Sequence, residues 1–196
     1  MNAFERSSIR RVLRFFGITA IGIGWLTILT SIMLNPWFSF YKNALSDLGA
    51  LGVEYNFIFN YGLGVAAIFA IAYGFYLLTC LDGKLAAFAS SFFILGSIHL
   101  LLIASFPEGT YPHLFVSLEF FILMGISILL YGIAFTAAKQ RLLGVIFLGM
   151  ALGGFSAAVL VPWPSIACLE VFAIALMSIW AILMLRQDLR MGGSSL

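Results

Sequence analysis

Asn43-Ala44-Leu45-Ser46-Asp47-Leu48-Gly49 decides how the rest of the chain is read. It sits inside the longest polar interruption between apolar runs, Asn35 to Asn56. One apolar run precedes it and five follow, at 15-34, 57-81, 85-106, 114-138, 142-161 and 165-185. Each run holds about 20–25 residues, enough as a helix to cross a hydrocarbon core roughly 30 Å thick. Composition agrees: 63% of the residues are hydrophobic and only 9% are charged. A soluble domain carries charge on about a quarter of its residues. The outer surface must therefore face lipid. The expected fold is an all-α integral membrane protein, a six-transmembrane-helix bundle forming one domain over 1-196.

Outward from the stretch, the loop holds Trp37, Tyr41 and Tyr55, whose amphipathic rings favour a membrane interface. Pro36 stops the preceding helix. A short interfacial helix is expected over roughly Ser39 to Leu48, ending at Gly49. The other breaks are short: Asp82-Gly83-Lys84, Pro107 to His113, Lys139-Gln140-Arg141 and Pro162-Trp163-Pro164. Short connections predict antiparallel hairpins between sequence neighbours. The basic start followed by an apolar run resembles a signal peptide. Its length, and the lack of a small-x-small cleavage site before Asn35-Pro36, predict a first membrane span instead.

Charge sets the expected orientation. With the N-terminus inside, Arg6, Arg10, Arg11, Arg14, Lys84, Lys139, Arg141, Arg186 and Arg190 are cytoplasmic, and Lys42 stands outside. This predicts a multi-pass protein of the cell membrane with both termini cytoplasmic. Cys80 and Cys168 then fall near opposite faces, so no intrachain disulfide is expected. Gly149-x-x-x-Gly153, and Ala66, Ala70 and Gly74 on one helix face, have the spacing of close helix contacts, inside the bundle or between copies. The expected partners are membrane lipid, a second copy or another membrane protein, with no nucleic acid.

In that orientation the inner acids are Glu5, Asp82 and Asp188. Asp47, Glu54, Glu108, Glu119 and Glu170 gather toward the outer side, with both histidines, His99 and His113. His99 and Glu119 lie within apolar runs, where ionisable groups are costly and normally face a bundle interior or a watered cavity. Asn43, Ser46 and Asp47 share a face if their segment is helical, as do Asn56 with Asn60 and His113 with Ser117. The candidate catalytic residues are Ser46, Asp47 and Glu119. The candidate ligand-binding residues are Asn43, Asn60, Glu108 and Glu170. His99, His113 and Asp47 would form a zinc set with an open fourth position. The plainer alternative has Ser46 and Asp47 fastening the loop through backbone groups, His99 paired with Glu119, and Glu108 and His113 solvated.

The Asn43-to-Gly49 motif, then Asn56-x-x-x-Asn60-Tyr61-Gly62-Leu63, then Phe106-Pro107-Glu108-Gly109 and His113, carry a family resemblance. The chain resembles an archaeal member of the six-helix membrane family called domain of unknown function 998. That resemblance implies a six-helix membrane protein with its polar motifs on one side, and no particular reaction. The residue types are also distantly similar to those of alkaline ceramidases and adiponectin-receptor-like proteins, zinc hydrolases with three histidines, a serine and an aspartate. Two histidines and six helices depart from that pattern. Three functions follow as expectations: binding of a lipid, amphiphile or membrane partner; metal-assisted hydrolysis of lipid at the outer leaflet; and proton-coupled transport through Glu119 and His99.

Overall fold

The structure, a computed structural model, describes residues 9–193; Glu5 and Arg6 lie outside the described residues. Among the described residues, six helices are long and apolar enough to cross a membrane. They are α1 (Phe16–Leu34), α2 (Asn56–Cys80), α3 (Lys84–Ser105), α4 (His113–Ala137), α5 (Arg141–Leu160) and α6 (Ile166–Gly193). The chain is thus a multi-pass membrane protein built as an all-helical bundle. The helices start and stop close to the expected positions because the apolar runs end at helix-breaking or polar residues. The exception is α6, which continues past the apolar run to Gly193, since no Gly or Pro interrupts it before Gly192.

Antiparallel succession places the Leu45–Gly49 segment, the α3–α4 loop and the start of α6 at one end, called here the motif end. Arg10, Arg11, Arg14, Lys84, Lys139, Arg141, Arg186 and Arg190 belong to the opposite, basic end. Neighbours pack in sequence order from α1 to α5, and α6 returns against α1. Small residues permit the close approaches. A Cβ on Gly74 would strike Ile94, one on Gly62 would strike Thr27, and one on Gly144 would strike Thr136. Between α3 and α4, Ser90 Oγ and Tyr131 Oη lie 2.7 Å apart, and Ser127 Oγ donates to the Ala89 carbonyl at 2.9 Å. These bonds satisfy buried hydroxyls without charge.

Two expectations about packing change. The α5–α6 connection is short, yet α6 approaches α5 and α4 at few places, chiefly Leu176 beside Gly154 and Trp180 against Tyr131 and Phe147. Pro162 and Pro164 lie in the break between the two helices, where neither can continue a helix. The Trp25 indole N–H, donating to Ser178 Oγ at 3.0 Å, holds α6 to α1. The Gly149-x-x-x-Gly153 face also differs from the Ala66/Ala70/Gly74 face. A Cβ at Gly149 or Gly153 meets nothing within 4 Å, so this pair makes no close contact inside the chain. Only Gly144 and Phe147 of α5 are buried.

Candidate functional site

The loop's middle is a five-residue 3-10 helix, Leu45–Gly49, rather than the longer helix expected from Ser39. Its residues explain the tight winding. Asp47 Oδ2 accepts from the Ala44 backbone N–H at 3.0 Å and from Asn43 Nδ2 at 2.9 Å. Asn43 Oδ1 in turn accepts from the Ser39 N–H at 3.0 Å. These side-chain bonds offer the backbone a local alternative to an α-helix. Leu45 and Leu48 are buried, so the turn closes the motif end as a plug.

Adjacent elements hold the plug on every side. Asn60 Nδ2 donates to the Gly49 carbonyl at 2.9 Å, and Asn56 Nδ2 to the Ala50 carbonyl at 3.0 Å. The i, i+4 asparagine pair on α2 therefore clamps the plug's exit. Gly49 is required for that clamp, because a Cβ there would collide with Asn60 Oδ1 and the Phe59 ring. From α6, Glu170 Oε2 accepts the Leu45 N–H at 2.6 Å, while the Ala167 N–H donates to the Asn43 carbonyl at 3.0 Å. The α3–α4 loop adds Leu51 N–H to the Glu108 carbonyl at 2.9 Å.

Around Ser46 the side chains converge. Ser46 Oγ lies 3.4 Å from Glu108 Oε2, and the same oxygen lies 3.0 Å from His113 Nε2. His113 Nδ1 is 2.8 Å from the Phe106 carbonyl. A carbonyl only accepts, so Nδ1 carries the proton and Nε2 faces Glu108 and Ser117. Ser117 Oγ is 3.2 Å from that Nε2. His113 is buried, which corrects the expectation of a solvated loop histidine.

Beneath the plug lies a cavity of about 130 Å³. Ser46, Ser117 and Glu170 are its polar wall residues, and all belong to its motif end. Apart from the buried, unpartnered indole N–H of Trp180, the remainder of the wall is apolar and runs between α1, α2, α3, α4 and α6 to Phe93, Trp180 and Ala181. A second cavity of about 450 Å³ lies between α4, α5 and α6, where α6 packs sparsely. The two share Ser117, Phe121, Met124, Ile128, Glu170 and Met177. Glu170 and Ser117 thus stand where the central cavity meets a lateral one.

The expected site residues sort into three groups. Ser46, Glu108, His113 and Glu170 are brought together. Asn43, Asp47 and Asn60 lie beside them, and their bonds go to the plug itself, as the plainer alternative has it for Asp47. His99 and Glu119 stand apart: His99 Nε2 is 2.6 Å from Glu119 Oε2 in the groove between α3 and α4, and neither lines either cavity. His99 Nδ1, 2.9 Å from the Leu95 carbonyl, must carry its proton. Each polar group thus satisfies the other, which lowers the cost of holding them within membrane-spanning helices.

The zinc set of His99, His113 and Asp47 is not assembled. Each histidine is paired with a different glutamate, Asp47 bonds the backbone, and the described residues contain no group of three or more His, Cys, Asp or Glu placed to hold a metal. Ser117 is absent from the expected set but belongs to the site; its i, i+4 spacing from His113 is the signal that marks it.

A family model described as "Protein of unknown function (DUF998)" matches residues 18–187. The chain belongs to the DUF998 family. No curated protein and no solved structure matches it. The match spans all six helices, so the plug, its clamps and the cavity are features of a DUF998 protein's folded unit.

Proposed function

We infer that this DUF998 protein binds a membrane amphiphile, its alkyl chain in the central cavity and its polar head against Ser46, Ser117 and Glu170. One observation carries the reading. The cavity wall is mostly apolar along its length, and its hydroxyl and carboxylate groups gather where the plug closes it; the Trp180 indole N–H at the far end is buried without a partner. An apolar void does not fill with water, so an alkyl chain is the occupant that gains most from it. The lateral cavity supplies a route from the bilayer between α4, α5 and α6. Carboxylates at Glu108 and Glu170 favour a head bearing hydroxyl or ammonium donors over an anionic one. The excess of cations at the basic end supports placing that end and both termini in the cytoplasm. In the cell membrane the head-group site would then open to the outer leaflet.

The test is native mass spectrometry of protein purified in mild detergent. Wild type should retain a lipid-sized adduct. Gly24→Leu should lose it while staying folded, because Gly24 lines the cavity and a Cβ there meets nothing within 4 Å. Equal retention by Gly24→Leu would contradict the reading.

A second reading, lipid hydrolysis, is favoured by a single contact. Ser117 lines the cavity, and its hydroxyl lies 3.2 Å from His113 Nε2, whose Nδ1 is oriented by the Phe106 carbonyl. In that reading Glu108 first turns away from His113 Nε2, Ser117 Oγ attacks an ester carbonyl, the freed Nε2 takes its proton and returns it to the leaving alcohol, and water releases the acyl group. Release of fatty acid from an ester lipid that persists in Ser46→Ala but disappears in Ser117→Ala would establish it. The transport reading draws no comparable support, since His99 and Glu119 line neither cavity.

A further inference from the structure

The basic end carries a groove of about 630 Å³ between the α4–α5 turn and the last turns of α6. Lys139, Arg141, Arg186 and Arg190 line it, with Gln140 and Gln187, and among the described residues no acidic one does. The nearby Asp188 carboxylate is engaged elsewhere, accepting from Tyr76 Oη at 2.8 Å. Leu142, Leu143, Ile146 and Leu183 form the apolar remainder of the wall. Cations therefore stand directly beside surface suited to alkyl chains.

The turn that presents Lys139 is unusual. The Gln140 N–H donates to the Phe135 carbonyl at 2.9 Å and the Lys139 N–H to the Thr136 carbonyl at 3.1 Å. This pair of bonds closes a helix with a left-handed residue, a place usually taken by glycine. Here Lys139 occupies it at φ 64°, the only non-glycine positive φ among the described residues. Left-handed backbone costs a lysine about 1 kcal/mol or more. A cation is thus placed where the backbone alone favours glycine. Two residues on, α5 begins at Arg141 without a side-chain cap, leaving its first N–H groups available to an anion.

We propose that this groove binds the phosphate-bearing head group of an anionic membrane lipid, with its chains along Leu142, Ile146 and Leu183. The site is independent of the central cavity and lies at the other end of the bundle. The apolar wall favours a lipid over soluble phosphate, because free phosphate has no use for it.

The test uses the full-length protein in nanodiscs of equal phosphatidylglycerol and phosphatidylcholine, read by native mass spectrometry of retained lipid. Wild type should retain phosphatidylglycerol selectively. Lys139→Gln, Arg141→Gln and Arg186→Gln should each weaken retention about five-fold. All three side chains are exposed, so an unchanged melting temperature verifies folding. The paired change Arg10→Gln, Arg11→Gln removes two exposed cations outside the groove and should leave retention unchanged. An equal loss from that pair would reduce the effect to diffuse charge and overturn the site. Inorganic phosphate, compared with chloride at matched ionic strength, distinguishes the source. Displacement of phosphatidylglycerol by phosphate supports a phosphate site. Phosphate binding to wild type without lipid selectivity would overturn the lipid assignment, and neither ligand bound would overturn the proposal.

Discussion

At Gly49 and Asn60 the plug meets α2 through one hydrogen bond and one absent side chain. Gly49→Ala forces a Cβ against Asn60 Oδ1 and Phe59, and both must shift. Asn60→Ala leaves the buried Gly49 carbonyl without its donor, a loss of about 1–3 kcal/mol. Both variants should lower the thermal midpoint of the detergent-solubilised protein. The double variant should cost less than the sum, because the two act through one contact. Strict additivity would show that they act separately. Glu170→Gln makes a further prediction at this scale. It keeps the volume and an acceptor for the Leu45 N–H but replaces the second carboxylate oxygen with an NH2 donor, so it should weaken an amphiphile whose head donates hydrogen bonds several-fold while leaving the fold intact. Unchanged binding in a lipid titration would remove Glu170 from the head-group site.

At the scale of elements, hydropathy located the six helices well because lipid imposes one demand on every span: satisfy the backbone internally and present apolar side chains. The plug was harder to read. Its 3-10 winding arises from Asp47 and Asn43 bonding the local backbone, and Leu45 and Leu48 are buried by tertiary contact that no short periodicity records. His99 and Glu119 illustrate a different limit. Depth within an apolar run signals a paired or cavity-facing group, and it does not say which. The structure gives the pair, and the rotation of α3 and α4 keeps it off the cavity wall. By contrast, the convergence of Ser46, Glu108, His113 and Glu170 was foreshadowed by their common placement toward one end. The loose seat of α6 leads to an element-scale prediction. Gly125 of α4 lines the lateral cavity, and a Cβ there meets nothing within 4 Å. Gly125→Leu should therefore slow exchange of a bound lipid several-fold while leaving the melting temperature within a few degrees of wild type. Exchange as fast as in wild type would place the entry route elsewhere.

Across the whole molecule, the bundle separates two chemistries by the thickness of a membrane. The motif end gathers carboxylates, hydroxyls and a buried histidine around a plug. The basic end gathers cations around a groove. If the cations mark the cytoplasmic side, Tyr111→Cys, at a fully exposed position of the α3–α4 loop, should react with an impermeant thiol reagent on intact cells, in a background lacking Cys80 and Cys168. Lys139→Cys in the same background should react only after permeabilisation. The opposite pattern would invert the orientation and move the head-group site to the inner leaflet.

The central claim is that an alkyl chain fills the cavity beneath the plug. An experimental density map of the wild-type protein in lipid nanodiscs addresses it most directly. Continuous, chain-like density is expected from Glu170 and Ser117 toward Trp180, with its head beside Ser46. An empty cavity, or one closed by inward movement of α6 with lipid confined to the outer surface of the bundle, would contradict it.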